Sequence, residues 1–89
     1  MEVRIHGSQI GTRKELHEAL AQGLELPEWY GNNLDALYDC LTDIHEETSI
    51  QILEKEELEK VLGPYVKSLM RLLQRVEDEN PHIHLILEE

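Results

Sequence analysis

Phenylalanine is absent from this chain, cysteine and tryptophan occur once each, and only eight residues are lysine or arginine. Each shortage excludes something. A single cysteine, Cys40, cannot close an internal disulfide. Without phenylalanine the packing falls to Leu, Ile and Val, and because hydrophobic residues still make up 40% of the chain, the composition is that of a folded domain. No Pro-, Gly- or Ser-rich linker divides the sequence, so residues 1–89 read as a single domain. No run approaches the roughly 20 apolar residues of a membrane span. The first residues, Met1-Glu2-Val3-Arg4, lack the roughly 7 to 15 apolar residues of a secretion signal, which predicts a cytoplasmic protein. No repeat of roughly 20 to 50 residues is visible. Against the eight basic residues stand 19 acidic ones, a formal net charge of -11. Such a field repels a phosphate backbone and an anionic membrane, and it attracts a basic protein.

What is present has the order of an α/β fold. Glu2 to His6 alternates polar and apolar residues, as a strand with Val3 and Ile5 on one face does, and Gly7 closes it. Thr12 followed by Glu15 is a capping box, predicting a helix over 13–22 with Leu16, Ala19 and Leu20 inward and Gly23 just past its end. Asn33 is a suitable N-cap for a second helix over 34–43, where Leu34, Leu37, Leu41 and Ile44 keep helical spacing. A strand over 49–53 follows. Then come a short helix from Glu56 to Leu62, stopped by Gly63-Pro64, and a longer one that Asn80-Pro81 ends. The nearly continuous apolar run 82–87 predicts a last strand buried on both faces. Two helices between successive strands imply right-handed crossovers, and hence a three-stranded parallel sheet covered by about four helices.

The most informative stretch is Leu26-Pro27-Glu28-Trp29-Tyr30-Gly31-Asn32-Asn33-Leu34-Asp35-Ala36-Leu37-Tyr38-Asp39-Cys40-Leu41. It sets an aromatic loop before a helix with two carboxylates four residues apart. Asp35 and Asp39 are therefore neighbours on the helix surface, about 5 to 6 Å apart at Cβ, and holding like charges there costs a few tenths of a kcal/mol. A positively charged partner relieves that cost. Aromatic residues are favoured anchors of protein interfaces, and a glycine lets two backbones approach closely.

This stretch, together with Gly7 and Leu16-His17, resembles the signature of the barstar family of intracellular ribonuclease inhibitors. Beyond residue 44 only the element order and the apolar pattern agree. The resemblance implies a barstar-like α/β fold and a one-to-one complex with a small basic secreted ribonuclease of the barnase type, formed by a chain that is monomeric when free. In that complex the loop and helix enter the enzyme's active site and carboxylates take the places of RNA phosphates. The implied partner-binding residues are Trp29, Tyr30, Gly31, Asn33, Asp35, Tyr38, Asp39, Thr42 and Glu79. Asp39 is the deepest carboxylate, Asp35 its neighbour and Trp29 the stacking aromatic. Asn33 both caps the helix and donates to the partner.

The chain also departs from the family pattern. Trp29 stands where Tyr is common, Tyr38 stands where Trp is common, and Arg75 falls at or near the position of a late glutamate, with Glu77 and Glu79 close by. Arg75 would repel a basic partner. Other residues read more plainly. Cys40 lies on the apolar stripe as a buried, inert thiol. His82 and His84 share a strand face, but no third and fourth ligand with matching spacing completes a metal site. The acidic run Glu54 to Glu59 is the wet side of a short helix. No catalytic residues, metal or cofactor are expected. An immunity or regulatory module for a different basic effector or nuclease toxin is the alternative function. An enzyme would need a pocket of convergent titratable groups around these carboxylates.

Overall fold

Strand β1, Glu2–His6, enters the sheet with Val3 and Ile5 buried and Glu2, Arg4 and His6 exposed, as its alternation requires. A single 3₁₀ turn, Gly7–Gln9, leads to helix α1, Arg13–Leu24. The computed structural model describes residues 1–87 of the chain, and it continues with α2 (Leu34–Thr42), β2 (Thr48–Leu53), α3 (Lys55–Leu62), α4 (Tyr65–Glu79) and β3 (Ile83–Leu87). The strands lie in the order β1-β2-β3, both pairs parallel, with Val3 beside Ile50 and Ile50 beside Leu85. This is the three-stranded parallel sheet with four helices that the element order implied.

The sheet steps in one direction only, and crossovers between parallel strands are right-handed almost without exception. All four helices must therefore lie on the same face. On that face Val3, Ile5, Ile50, Ile52 and Ile83 pack against Leu16, Leu20, Leu37, Leu41, Leu58, Leu69 and Leu73 in one core. On the other face His84 and Ile86 are exposed, and Ser49, Gln51 and Leu53 are half-buried. This corrects the expectation of a last strand buried on both faces. Apolar character along 82–87 is genuine, but Ile86 is 41% exposed because no helix reaches that side.

Helix boundaries depart from expectation where a residue has a second use. Thr12 caps α1 by accepting from the Glu15 N–H at 3.1 Å, while Glu15 reaches back to the Gly11 N–H at 2.7 Å. Gly23, expected to end the helix, lies inside it. A Cβ at Gly23 would sit 2.2 Å from Val3 Cγ2, so the glycine is where α1 presses onto β1. The left-handed cap falls on Glu25 instead, at φ 54°.

A buried carboxamide closes the far end. Asn80 donates to the carbonyls of Leu41 (2.9 Å) and Ile44 (3.0 Å) and accepts from the His82 N–H (3.0 Å). The Leu41 carbonyl, in the last turn of α2, also accepts from the Ile44 N–H at 3.3 Å, so the Asn80 amide adds a second donor there and fixes α2 against the α4–β3 turn.

Two substitutions test these contacts by denaturant unfolding. Gly23→Ala is expected to destabilise by about 1 to 3 kcal/mol through overpacking against Val3, although alanine favours a helix interior by roughly 1 kcal/mol. Asn80→Ala removes the two hydrogen bonds that tie α2 to the α4–β3 turn and one within that turn, and is expected to cost about 2 kcal/mol or more.

Candidate protein-binding site

The loop between α1 and α2 is held from both ends. Leu26 N–H bonds back to the Ala21 carbonyl at 2.9 Å, and Tyr30 N–H closes a turn on Pro27 at 2.9 Å. Asn32 takes a left-handed conformation, φ 54°, which asparagine tolerates better than most residues. Asn33 then caps α2: its Oδ1 accepts from the Ala36 N–H at 2.8 Å, and its Nδ2 donates to the Gly31 carbonyl at 3.3 Å. The expected cap is thus present, and the same amide ties the glycine of the loop to the helix start.

At 100° per residue, α2 sorts its side chains onto two faces. Leu37, Cys40 and Leu41 are buried. Asp35, Tyr38, Asp39 and Thr42, spaced three, four and seven apart, form the opposite stripe. Asp35 and Asp39 are exposed, and among the described residues neither belongs to an ion pair. The Thr42 hydroxyl is turned back onto the Tyr38 and Asp39 carbonyls at 3.0 and 3.1 Å. Trp29 is 78% exposed, the most exposed of the large hydrophobic side chains among the described residues. Gly31 is exposed beside it.

The two loop aromatics part company. Tyr30, named with Trp29 as an interface residue, points inward and is 8% exposed. Its hydroxyl lies 2.5 Å from Nδ1 of His17, a fully buried histidine whose Nε2 lies 2.6 Å from the Tyr65 hydroxyl. Burial raises the Tyr30 and Tyr65 phenols above their ordinary range and lowers His17 below its own. The Arg13 guanidinium sits 4.1 Å from the centre of the Tyr65 ring. Arg13, Tyr65, Asn32, Asn33, Leu34 and Asp35 line a shallow cleft at the start of α2.

Helix α4 contributes the remaining edge. Tyr38 donates to Glu79, and Arg75 Nε bonds Glu79 at 3.0 Å while its guanidinium lies 5.0 Å from the Tyr38 ring. Arg75 is therefore an internal counter-charge to Glu79 as well as a cation on the rim. The bond from Tyr38 first, and that from Arg75 second, hold the Glu79 carboxyl below its ordinary range.

Cys40 is buried on the apolar stripe, and burial, then Asp39 and Asp43, push its thiol up, away from the reactive thiolate. His82 and His84 face a carboxylate: Glu47 bonds His82 Nδ1 and His84 Nε2, each at 2.8 Å. Among the described residues no group of three or more His, Cys, Asp or Glu could hold a metal ion, and no helix is long and apolar enough to cross a membrane. The residues that position the site but carried no sequence signal of that role are Asn80, Arg13, Tyr65 and, beyond its place in the family pattern, His17. A histidine beside Leu16 in an apolar stripe hints at a buried polar contact, but its second partner is 48 residues away.

Comparison with known proteins finds a family match and a relative. Residues 1–88 match the family described as Barstar (barnase inhibitor). A Bacillus subtilis (strain 168) protein described as "Putative ribonuclease inhibitor YrdF" is 32% identical over 79 residues, covering 88% of this chain and 87% of that protein.

The Tyr38, Arg75 and Glu79 cluster has a measurable signature. In NMR titrations Tyr38→Phe and Arg75→Ala should each raise the Glu79 pKa towards its ordinary value. The tyrosine substitution should produce the larger rise, because its hydrogen bond contributes most.

Proposed function

The chain belongs to the barstar family, and on that premise we propose that it inhibits a small basic ribonuclease by seating the α2 stripe and the loop before it in the enzyme's active site. The family is one of barnase inhibitors, which supports an inhibitor role of that kind and not an enzymatic one. The observation that carries the finer reading is the pair Asp35 and Asp39: exposed, one turn apart, and outside every ion pair among the described residues.

A ribonuclease that cleaves RNA must gather cationic side chains around a phosphate. Two carboxylates on a rigid helix offer those cations the same sign of charge, and the helix is already fixed by Asn33 at one end and Asn80 at the other. Little ordering is left to do on binding, which favours affinity. Asp39 is the phosphate surrogate and Asp35 assists it from one turn earlier. Trp29 stacks on the enzyme, and Gly31 admits its backbone. Tyr30 acts from beneath, holding Trp29 in place, while Asn33 and Thr42 set the helix that presents the carboxylates. Tyr38 and Glu79 form the α4 edge with Arg75.

The net charge of -11 adds long-range attraction, so association is fast at low salt and slows as ions screen it. The complex is one-to-one, the free chain is a monomer, and the inhibitor works in the cytoplasm against an enzyme destined for secretion. Arg75 favours a second reading, an immunity module for a different basic nuclease toxin, because it already occupies the charge of Glu79.

Titration of the chain into an RNA-hydrolysis assay with a barnase-type ribonuclease tests the proposal. Stoichiometric inhibition is expected. Asp39→Ala should weaken it about a hundredfold or more, since it leaves the enzyme's cations unpaired in a buried interface. Its thermal stability should stay within about 0.5 kcal/mol of wild type, as for other surface changes. Absence of inhibition, with recovery of another basic nuclease by affinity capture, would favour the second reading.

A further inference from the structure

Six of the eight basic residues fall in two segments that contain no Asp or Glu: Arg4, Arg13 and Lys14 in residues 3–14, and Lys67, Arg71 and Arg75 in residues 63–76. All 19 acidic residues lie outside those segments. Charge is therefore segregated along this chain, whereas a surface arranged only for solubility intersperses the two signs. Two members of the basic set stand at the candidate site. Arg13, the first residue of α1, has its guanidinium 4.1 Å from the centre of the Tyr65 ring and lines one cleft with Asn32, Asn33 and Asp35. Arg75, on α4, has its guanidinium 5.0 Å from the centre of the Tyr38 ring, and Tyr38 adjoins Asp39 on the α2 stripe.

Both arginines are exposed, and neither forms an ion pair with the carboxylates of α2. Arg13 belongs to no ion pair among the described residues, and Arg75 pairs with Glu79 through Nε. A guanidinium carries four N–H groups besides the one on Nε, so that pairing leaves Arg75 able to donate elsewhere. Stacking on a tyrosine face also restricts where each flat cation can point. Across the surface the charge therefore runs from positive at Arg13, through negative at Asp35 and Asp39, to positive at Arg75.

We infer that Arg13 and Arg75 are specificity residues of the binding surface, and that the partner they fit is a nuclease whose cationic active site is flanked on two sides by carboxylates. This rests on the inhibitor reading and states the chemistry of the enzyme it requires. Against a rim that is basic throughout, each arginine meets a like charge, which disfavours the wrong partner. Against a carboxylate, the planar guanidinium offers a paired set of donors in a fixed geometry. Rim pairs stay in contact with water, so each adds little to affinity and acts chiefly on the choice between enzymes. Asp35 and Asp39 hold the cations at the centre, and the two arginines test what surrounds them. Arginines that did no more than cover tyrosine rings would be indifferent to the charge of the partner.

That difference is measurable. Affinities of wild type, R13Q and R75Q are compared for a barnase-type ribonuclease and for a panel of its variants, each carrying a single Glu at an exposed position around the mouth of the active site. Glu on one side of the mouth should tighten binding of wild type about three- to fivefold and leave R13Q unchanged. Glu on the opposite side should do the same for wild type and leave R75Q unchanged. R13K and R75K keep the charge and should retain the response, which separates a contact with the enzyme from a disturbance of the fold. Changes that agree within about twofold among wild type, R13Q and R75Q at every position overturn the inference. If no enzyme in the panel is inhibited, the inhibitor reading falls and the inference with it, whereas inhibition without such coupling overturns the inference alone.

Discussion

One-handed crossovers between strands that step always in the same direction crowd four helices onto one face of a narrow sheet. That crowding is the constraint on which the rest depends. It creates a single core with no second layer to share the packing, and it leaves α2 with one face turned inward, chiefly against α4, and the other facing solvent. The buried face of α2 anchors it through Leu37 and Leu41. The other face is left for carboxylates that nothing in the fold needs. Rigidity and display therefore come from the same nine-residue helix.

The polar contacts divide the work between anchoring and recognition. Asn80 and His17 are both buried and both bridge elements distant in sequence, one at the end of α2 and one beneath the loop that precedes it. Asn33 joins the loop to the helix between them. Among the described residues no buried side-chain polar atom lacks a partner, which is what such ties require, since an unpartnered group in the core would cost more than the contact contributes. The acidic excess stays at the surface, where solvent and salt moderate its self-repulsion and where a cationic enzyme can use it.

Much of this was legible in the sequence because it rests on local rules. The capping signals at Thr12 and Asn33, the alternation in β1 and the two-sided pattern of α2 depend on neighbours within one or two turns. Crossover connections leave few topologies, so the three-stranded parallel sheet followed, although the order of its strands did not. What was not legible depends on meetings across the chain. Gly23 looks like a helix stop until Val3 is placed against it. The last strand looks doubly buried because an apolar run does not say how many faces will be covered. Tyr30 and Trp29 are adjacent aromatics with opposite fates, decided by a histidine thirteen residues earlier. Arg75 reads as a charge that would repel a cationic partner, whereas in the fold it is half of an ion pair beside a tyrosine ring.

The carboxylate of Glu47, set between His82 and His84 where β3 begins, bears on how the molecule behaves in company. A sheet with a bare face and strands at its margins invites other chains to add to it, and natural proteins discourage such addition by placing charge along the margin. Here the charge is held in place by two histidines at the start of the outermost strand. Each carboxylate oxygen is held by a different imidazole, at 2.8 Å, so the guard on the sheet's margin is fixed in direction as well as in sign.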